Sequence, residues 1–365
     1  MMTPIRLGLI ALALIPIGCS RPGSSTGGNS NATSNITADP TDIVRNLEET
    51  KANSKPDKHG RIAELDLRGS SFPISDLAGL ASLSGLKKLI LADLDVTDAD
   101  LKAIGGITSL RDLDLRGCSI SNQGLAELKS LANLRVLKLS GENGNTSVDD
   151  DGMQELVGLT ELRVVYLDHL WISEEGLEHL ADLPHLRELY LAKSLVGDEA
   201  MTVIAQLSQL RKLRISGTQI TNASLEALAA LSQLEELDLS ENSQVVDDGM
   251  ASIGKIKSLK KLNLWRVAIT DIGVERLSPL TQLVWLNLDN TQLTDAGLRF
   301  IKGMTALEFL HLGSTATTDA GLVHLESLTS LKDLKVSRTA VTQAGVDRLN
   351  MKLPTTKIQL NYLQD

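Results

Sequence analysis

A repeat of 24 residues runs through most of the chain and limits its possible folds more than any other feature. The pattern Leu-x-x-Leu-x-Leu returns twelve times, and only two of the spacings, 28 and 25 residues, depart from 24. A fixed period of this length is typical of solenoids, in which each unit packs only on its neighbours. The pattern begins at Ile62, Leu86, Leu110, Leu134, Leu162, Leu186, Leu210, Leu234, Leu259, Leu283, Leu307 and Leu331, and Ile358 and Leu360 supply a closing strand.

Each repeat contains one strand signal followed by one helix signal. The Leu-x-Leu alternation has the period of two that is typical of a short strand. The run that follows has helical spacing, as in Gly297, Leu298, Ile301 and Met304. Neither element can bury its apolar face alone, so successive repeats must stack. The sequence therefore predicts an α/β solenoid with one parallel sheet and a row of short helices.

The repeat resembles the leucine-rich repeat family over residues 62–360. It is most similar to the subtype L-x-x-L-x-L-x-x-(T/C/N)-x-I-T-D-x-G-L, which occurs in bacterial exported proteins and in F-box substrate adaptors. The resemblance implies a right-handed, arc-shaped solenoid with the parallel sheet on its concave side and the short helices on its convex side. Residues 1–61 contain no F-box-like helical module, so we expect no ubiquitin-ligase role.

The N-terminus reads as an export signal. Arg6 precedes an apolar stretch at 7–18 that has the length of a signal-peptide core and is too short to span a bilayer. The stretch ends in PIGCS, which resembles a bacterial lipobox and implies that Cys19 is lipidated and becomes the mature N-terminus. Pro16 stands where that motif usually has Leu, and cleavage after Ser20 is the alternative. We expect an exported protein of the cell envelope, lipid-anchored, or otherwise secreted or periplasmic.

Four segments follow from these patterns. The stretch after the signal contains Ser, Thr, Gly and Asn and little to bury, so we expect a disordered tether. The next segment places Ile43, Val44 and Leu47 on one face of a helix, which would cover the exposed end of the array. The predicted organisation is a signal peptide at 1–19, a tether at 20–38, an N-terminal helical cap at 39–61 and the solenoid at 62–365.

Composition excludes several function classes. The formal net charge of −10 gives the chain as a whole no attraction for nucleic acid. Two cysteines, Cys19 and Cys118, are too few for a disulfide framework or a thiolate metal cluster. No Gly-rich phosphate loop, paired Cys motif or H-x-x-x-H occurs, and Cys118 occupies a repeat position that faces the core in this family. We expect no enzyme, no cofactor and no metal, with Cys118 as a buried structural thiol.

The phrase TDAGL and its looser copies mark the corner between strand and helix. Thr294 stands where a hydroxyl can cap the helix, and Asp295 would place a carboxylate at the positive helix N-terminus. Gly297 is expected to permit close approach of the neighbouring coil. Gly197 and Val246 replace the Thr in two repeats, so the following Asp is expected to cap there.

Partner contacts are expected at the variable, outward positions of the strands. Charges at these positions are balanced, and six of the nine aromatic residues fall there. Exposed aromatic rings among polar side chains are typical of interface hot spots, although such rings can also pack together and seal a sheet. The candidate residues form two groups: Tyr166 and Tyr190 near His169 and Trp171; and Trp265, Trp285 and Phe309 with Asn287 and His311.

The sequence therefore favours a non-enzymatic binding module that presents its concave surface to a partner protein. A glycan is the second possibility, with Trp265 and Trp285 stacking on sugar rings. A purely architectural envelope protein is the third.

Overall fold

A computed structural model describes residues 40–361. Fourteen strands form one open sheet in strict chain order. The second to fourteenth strands are parallel, one for each repeat and one closing strand, which confirms the predicted solenoid. The strands are β1 (Asn53–Pro56), β2 (Ile62–Asp66), β3 (Lys88–Ile90), β4 (Asp112–Asp114), β5 (Val136–Ser140), β6 (Val164–Asp168), β7 (Glu188–Tyr190), β8 (Lys212–Arg214), β9 (Glu236–Asp238), β10 (Lys261–Asn263), β11 (Trp285–Asn287), β12 (Phe309–His311), β13 (Asp333–Lys335) and β14 (Lys357–Gln359).

Short helices connect the strands, and some are single 3-10 turns. Within residues 40–361 no helix is both long enough and apolar enough to cross a bilayer. The α-helices are α1 (Pro40–Glu49), α2 (Asp98–Gly105), α3 (Asn122–Ala126), α4 (Asp150–Met153), α5 (Glu174–Glu178), α6 (Asp198–Ile204), α7 (Asp247–Ile253), α8 (Asp271–Leu277), α9 (Asp295–Ile301) and α10 (Gln343–Asn350). The 3-10 segments are Ile74–Ser82, Gln154–Leu156, Ala227–Ala230 and Gly321–Leu325.

The repeated leucines form one continuous core between the sheet and the helices. Leu262, Leu286 and Leu310 lie side by side on β10, β11 and β12, and each is fully buried. Burying one such side chain contributes about 2 kcal/mol, and the contribution is repeated in every coil. Cys118 lies in this core with its Sγ 3.3 Å from the Leu91 carbonyl oxygen, as the repeat position predicts.

The segment before the array contains a strand as well as a helix. Helix α1 buries Ile43 and Leu47, whereas Val44 is only half-buried. Strand β1 then pairs antiparallel with β2, an element that the prediction of a purely helical cap missed. All four β1 residues are exposed, so no apolar alternation marked the strand. The predicted signal peptide, Cys19 and the tether lie outside the described residues.

The recurring T-D-x-G phrase joins successive repeats. The Thr294 hydroxyl accepts from the Ala296 N–H at 3.2 Å and caps α9, as predicted. The same residue donates both its backbone N–H and its hydroxyl to Asp271, in the previous repeat, at 2.8 Å and 2.6 Å. The carboxylate thus hydrogen-bonds to the next repeat as well as standing in the first turn of its own helix.

The expectation that Asp caps the helix where Thr is absent is wrong. Gly197 and Val246 have no side-chain capping bond. The carboxylates that follow them, Asp198 and Asp247, accept instead from Thr221 and Thr270 of the next repeats.

The glycine of the phrase makes room for this contact. A Cβ on Gly297 would lie 2.3 Å from the Asp271 Oδ1 and 2.4 Å from the Leu293 side chain. The predicted close approach of neighbouring coils is therefore confirmed. The group that approaches the glycine is the Asp carboxylate of the previous repeat. The same clash would arise at Gly124, Gly176, Gly273, Gly321 and Gly345.

Candidate partner-binding site

The outward side chains of the strands form three rows across the sheet, at the third, fifth and seventh positions of the repeat. Tyr166 and Tyr190 lie in the fifth-position row. Trp285 and Phe309 lie in the third-position row. Trp265 lies in the seventh-position row, beyond the end of β10. The structure therefore brings together two aromatic pairs and places Trp265 in a different row from Trp285 and Phe309.

The tyrosine pair is tightly stacked. The ring centroids of Tyr166 and Tyr190 are 3.8 Å apart and the rings are 8° from parallel. The Lys138 Nζ lies 5.2 Å from the Tyr166 ring centroid, within cation–π range. The Tyr190 hydroxyl donates to the Glu188 Oε2 at 2.9 Å. Burial, together with hydrogen bonds to Tyr166 and Glu188, raises the pKa of Tyr190, so its phenol stays neutral.

The second pair is stacked in the same way. The ring centroids of Trp285 and Phe309 are 5.0 Å apart and their planes differ by 6°. His311 meets the Phe309 ring edge-on at 6.4 Å, and the Lys335 Nζ lies 5.5 Å from the same ring centroid. Asn287 lies directly beside His311 on the neighbouring strand. The predicted polar neighbours are thus in place around this pair.

Trp265 belongs to a different cavity. The Arg266 guanidinium covers its ring at 4.5 Å from the centroid. With His311 and Asp289, Trp265 lines a cavity of about 210 Å³ at the ends of the strands. His311 connects the two regions, because it also contacts Phe309, and burial lowers the pKa of its imidazole.

A cleft of about 300 Å³ separates the two aromatic pairs. Tyr190 on β7 and Trp285 on β11 line its opposite sides. Four strand spacings lie between these strands, or about 19 Å at ~4.8 Å each. We call this site the aromatic-walled cleft, and its floor consists of Lys212, Arg214, Glu236, Asp238, Lys261 and Asn263 with the intervening leucines.

Charges of opposite sign alternate across the cleft floor. In one row the Lys212 Nζ lies 3.3 Å from Glu188 and 3.8 Å from Glu236, and the Lys261 Nζ lies 3.0 Å from Glu236. Burial opposes protonation of Lys212, but its two glutamate neighbours raise its pKa overall. Because the signs alternate, the floor offers no uniform potential to a phosphate backbone.

The second row of the floor is centred on one arginine. The Arg214 guanidinium lies 3.2 Å from Asp168 and 3.6 Å from Asp238. The Arg214 side chain is 43% exposed and those of Asp168 and Asp238 are 13% and 26% exposed. Partly exposed ion pairs contribute about 1 kcal/mol or less each to folding. Their stability value is small, and they remain available to exchange partners with an incoming surface.

His169 marks a further region at the edge of the sheet. It follows β6, and its backbone φ is 61°, a value uncommon for a residue other than glycine. His169 and Trp171 line a cavity of about 340 Å³ beside the four-residue insertion. His169 also lines a cavity of about 670 Å³ together with Tyr166, as the sequence predicted, whereas Trp171 does not line that cavity.

Two kinds of reactive group, a metal centre and an activated thiol, can be checked among residues 40–361. No cluster of three or more His, Cys, Asp or Glu within residues 40–361 is placed to hold a metal ion. Cys118 is fully buried, and burial raises the pKa of its thiol to about 12. A thiol with this pKa is not a nucleophile at neutral pH, since the thiolate is the reactive form.

Comparison with known protein families identifies the same repeats. Residues 63–252, more than half of the chain, match the family model of the leucine-rich repeat region. This chain belongs to the leucine-rich repeat family. No curated protein sequence matches it.

Solved structures show the same fold at low sequence identity. An internalin of Listeria monocytogenes is 23% identical, with 83% of this chain and 82% of that chain covered and a TM-score of 0.58. A TDR receptor is 19% identical, with 82% and 55% covered and a TM-score of 0.53.

Proposed function

We propose that this protein is a non-enzymatic binding module that holds a partner protein against the concave face of its sheet, at the aromatic-walled cleft. The observation that carries the proposal is the arrangement of two stacked aromatic pairs on either side of a floor of alternating charges. Membership of a family that generally mediates protein–protein interactions supports it.

The dimensions and chemistry of the cleft favour a protein segment as its occupant. The strands that carry the two walls lie about 19 Å apart, so a segment such as a helix of about 10–12 Å diameter can lie across this face and insert side chains between the walls. Stacking holds Tyr190 and Trp285 in place, so binding would cost these rings little conformational entropy. A partner that carries both acidic and basic side chains between apolar flanks would match the floor and the walls.

The glycan alternative has less support at these residues. Arg266 covers one face of Trp265 and Phe309 covers one face of Trp285, so each ring has only one face left for a sugar. The two tryptophans also line separate cavities, so they do not offer one continuous surface.

The N-terminal sequence supports a location in the cell envelope. In our proposal the segment 1–18 directs export from a bacterial cell, Cys19 carries the lipid anchor, and 20–38 forms the tether that holds the solenoid away from the membrane. No other contact with the membrane is required.

Site-specific crosslinking in the native envelope tests the proposal. A photoreactive residue replaces Lys261, which is exposed on the cleft floor, or as a control Glu275, which is exposed on α8. We expect one discrete protein adduct from position 261 and none at that size from position 275. A polysaccharide adduct would favour the glycan alternative. If position 261 gives no specific adduct, the architectural role is favoured instead.

A matched pair of aromatic variants makes the test specific. Trp285→Ala removes one wall of the cleft and is expected to abolish the adduct from position 261. Phe300→Ala removes a partly buried aromatic ring on α9, outside the cleft, and is expected to leave it unchanged. Equal loss in both variants would show a general effect on the fold and contradict the assignment of the cleft.

A further inference from the structure

The largest register break in the array creates a cavity at the edge of the sheet. The four extra residues follow β5 and include Gly141 and Gly144. A Cβ on Gly141 would lie 2.2 Å from the His169 carbonyl oxygen, so the loop packs directly on the next repeat. The Asn143 Nδ2 donates to the Gly117 carbonyl at 2.8 Å and ties the loop to the previous repeat. The loop is thus held on both sides, with a cavity of about 340 Å³ beneath it.

Trp171 lines this cavity and is 75% exposed. Its indole has no stacking or cation–π partner among residues 40–361, unlike Trp265 and Trp285. Leu195 occupies the same position one repeat later and is also exposed, so the two side chains extend one apolar strip. The corresponding residues elsewhere in the array are small or polar: Ser119, Ser147, Gln219, Gln244, Ala268, Gln292, Ala316 and Ala340.

The remaining lining contains no Lys or Arg. Glycine backbone, Thr146, Ser147, Asp149 and His169 supply its polar groups, and the buried Val148 and Leu170 complete it. The Asp149 Oδ1 accepts from the Asn122 Nδ2 at 2.6 Å and from the Asp151 N–H at 3.1 Å. The Asp149 Oδ2, the Ser147 hydroxyl and the His169 imidazole have no hydrogen-bond partner within residues 40–361. They remain available to a ligand.

We propose that this cavity is a saccharide-binding subsite in which a neutral sugar ring stacks on Trp171. A pyranose ring presents an apolar C–H face with hydroxyls around its rim, which matches an open indole beside a carboxylate, a hydroxyl and an imidazole. The absence of Lys and Arg from the lining disfavours a phosphate or a carboxylate ligand. The volume is at the lower end of the ~300–1,000 Å³ range of ligand pockets and suits one or two sugar rings.

This subsite is independent of the aromatic-walled cleft. The two cavities share no lining residue. A protein partner that used Trp171 as an anchor would enclose the indole from all sides, whereas here the insertion loop already supplies a polar wall on one side. Failure of either proposal therefore leaves the other standing.

Titration of the full chain with neutral tetrasaccharides of glucose, mannose, galactose or N-acetylglucosamine tests the proposal. Tryptophan fluorescence and saturation-transfer NMR report binding. We expect at least one tetrasaccharide to bind in the micromolar to millimolar range, with transfer to the protons of one ring face. Absence of binding by all four would overturn the proposal.

Variants assign the binding to this cavity. Trp171→Ala should weaken binding by about tenfold or more, whereas Trp171→Tyr should retain most of it. Gln292→Ala changes the same repeat position five coils further along and should have no effect, and Trp285→Ala should also have none. Unchanged affinity in Trp171→Ala would overturn the assignment. Loss of a crosslinked protein in this variant, without saccharide binding by the wild type, would identify Trp171 as a protein anchor instead.

Discussion

Asp271 accepts two hydrogen bonds from Thr294, a residue 23 positions further along the chain. The backbone N–H reaches one carboxylate oxygen and the hydroxyl reaches the other, at 2.8 Å and 2.6 Å. Hydrogen bonds to charged groups contribute roughly 1.5–3 kcal/mol, and in a solenoid such contacts stabilise the interface between neighbouring repeats. The same pair of hydrogen bonds is accepted by Asp98, Asp150, Asp198, Asp247, Asp295 and Asp319.

We predict that Asp271→Ala and Thr294→Val are each destabilising but not additive. Asp271→Ala removes the shared acceptor and should lower the free energy of unfolding by about 2 kcal/mol, and Thr294→Val by about 1 kcal/mol. The double variant should lose less than the sum, because both substitutions break the same hydrogen bond. Denaturant unfolding of the four proteins measures this coupling. Asp248→Ala, at a side chain 79% exposed, should change stability by less than about 0.5 kcal/mol.

A second prediction concerns the glycine that admits the carboxylate. Gly297→Ala should destabilise the protein by about 2 kcal/mol, although Ala is the better helix former, because its Cβ would lie 2.3 Å from the Asp271 Oδ1. Gly303→Ala is the matched control, since a Cβ there would meet nothing within 4 Å. Thermal unfolding of both variants compares them. Equal stability of the two variants would contradict this account of the glycine.

The hydrogen bonds from Ser or Thr to the Asp of the previous repeat form a ladder along the solenoid. The sequence contains a signal for this ladder that helix-capping rules do not use. Every Asp of the ladder is followed 23 residues later by Ser or Thr. Where the acceptor position is not Asp, the later residue has no hydroxyl: the pairs are Asn122 with Asp149, Glu174 with Gly197, and Asn222 with Val246 across the longer repeat. Helix-capping rules relate residues within one helix, so they assigned each Asp to its own α-helix and missed the neighbour across the repeat.

The fold was predictable because the leucine register depends on sequence period alone, whereas the site depends on position within each repeat. Trp285 is two residues beyond the first Leu of its repeat and Trp265 is six beyond. This difference separates them on the sheet, although their strands are adjacent. The cleft was not predictable, because it depends on how far apart the pairs Tyr166–Tyr190 and Trp285–Phe309 stand and on what lies between them. Strand β1 left no signal, since its side chains bury nothing.

Acid should weaken the ladder in a defined pH range. The backbone N–H and hydroxyl of Thr342, with Arg348, hold the pKa of Asp319 below its ordinary value. A lowered folded-state pKa stabilises the fold above the unfolded pKa of about 3.9, and this contribution is lost as pH falls through the folded pKa. Asp319→Asn should therefore be less stable than the wild type at pH 7, and the difference should shrink below about pH 4. A difference independent of pH from 7 to 2 would show that the carboxylate charge is not involved.

The proposed lipid anchor predicts the chemistry of the mature N-terminus. Mass spectrometry of the protein from its native envelope should find an acylated Cys19 as the first residue. Cys19→Ser should release the protein from the membrane fraction without changing the stability of the solenoid, because residue 19 lies outside the repeats. A mature chain that begins at Arg21 would identify cleavage after Ser20 and exclude the anchor.

The floor of the aromatic-walled cleft is expected to matter for binding more than for folding. Arg214→Met removes the cation between Asp168 and Asp238, and partly exposed pairs of this kind contribute only about 1 kcal/mol or less. Asp168 keeps its hydrogen bond from the Ala192 N–H at 2.7 Å, so the strands should stay in register. Partner affinity should nevertheless fall by about tenfold or more, because two neighbouring carboxylates would then face the partner without a counter-charge.

Arg276→Met is the matched control for this prediction. Arg276 pairs with Asp248 at 2.6 Å between α8 and α7, away from the cleft, so its loss should cost similar stability and leave partner affinity unchanged. Titration of the crosslinked partner with both variants, at two salt concentrations, measures the difference. The wild-type affinity should decrease at higher salt, and the decrease should be smaller in Arg214→Met, because one charge has been removed from the interface. Equal affinity and equal salt dependence in the wild type and Arg214→Met would exclude the floor from the interface.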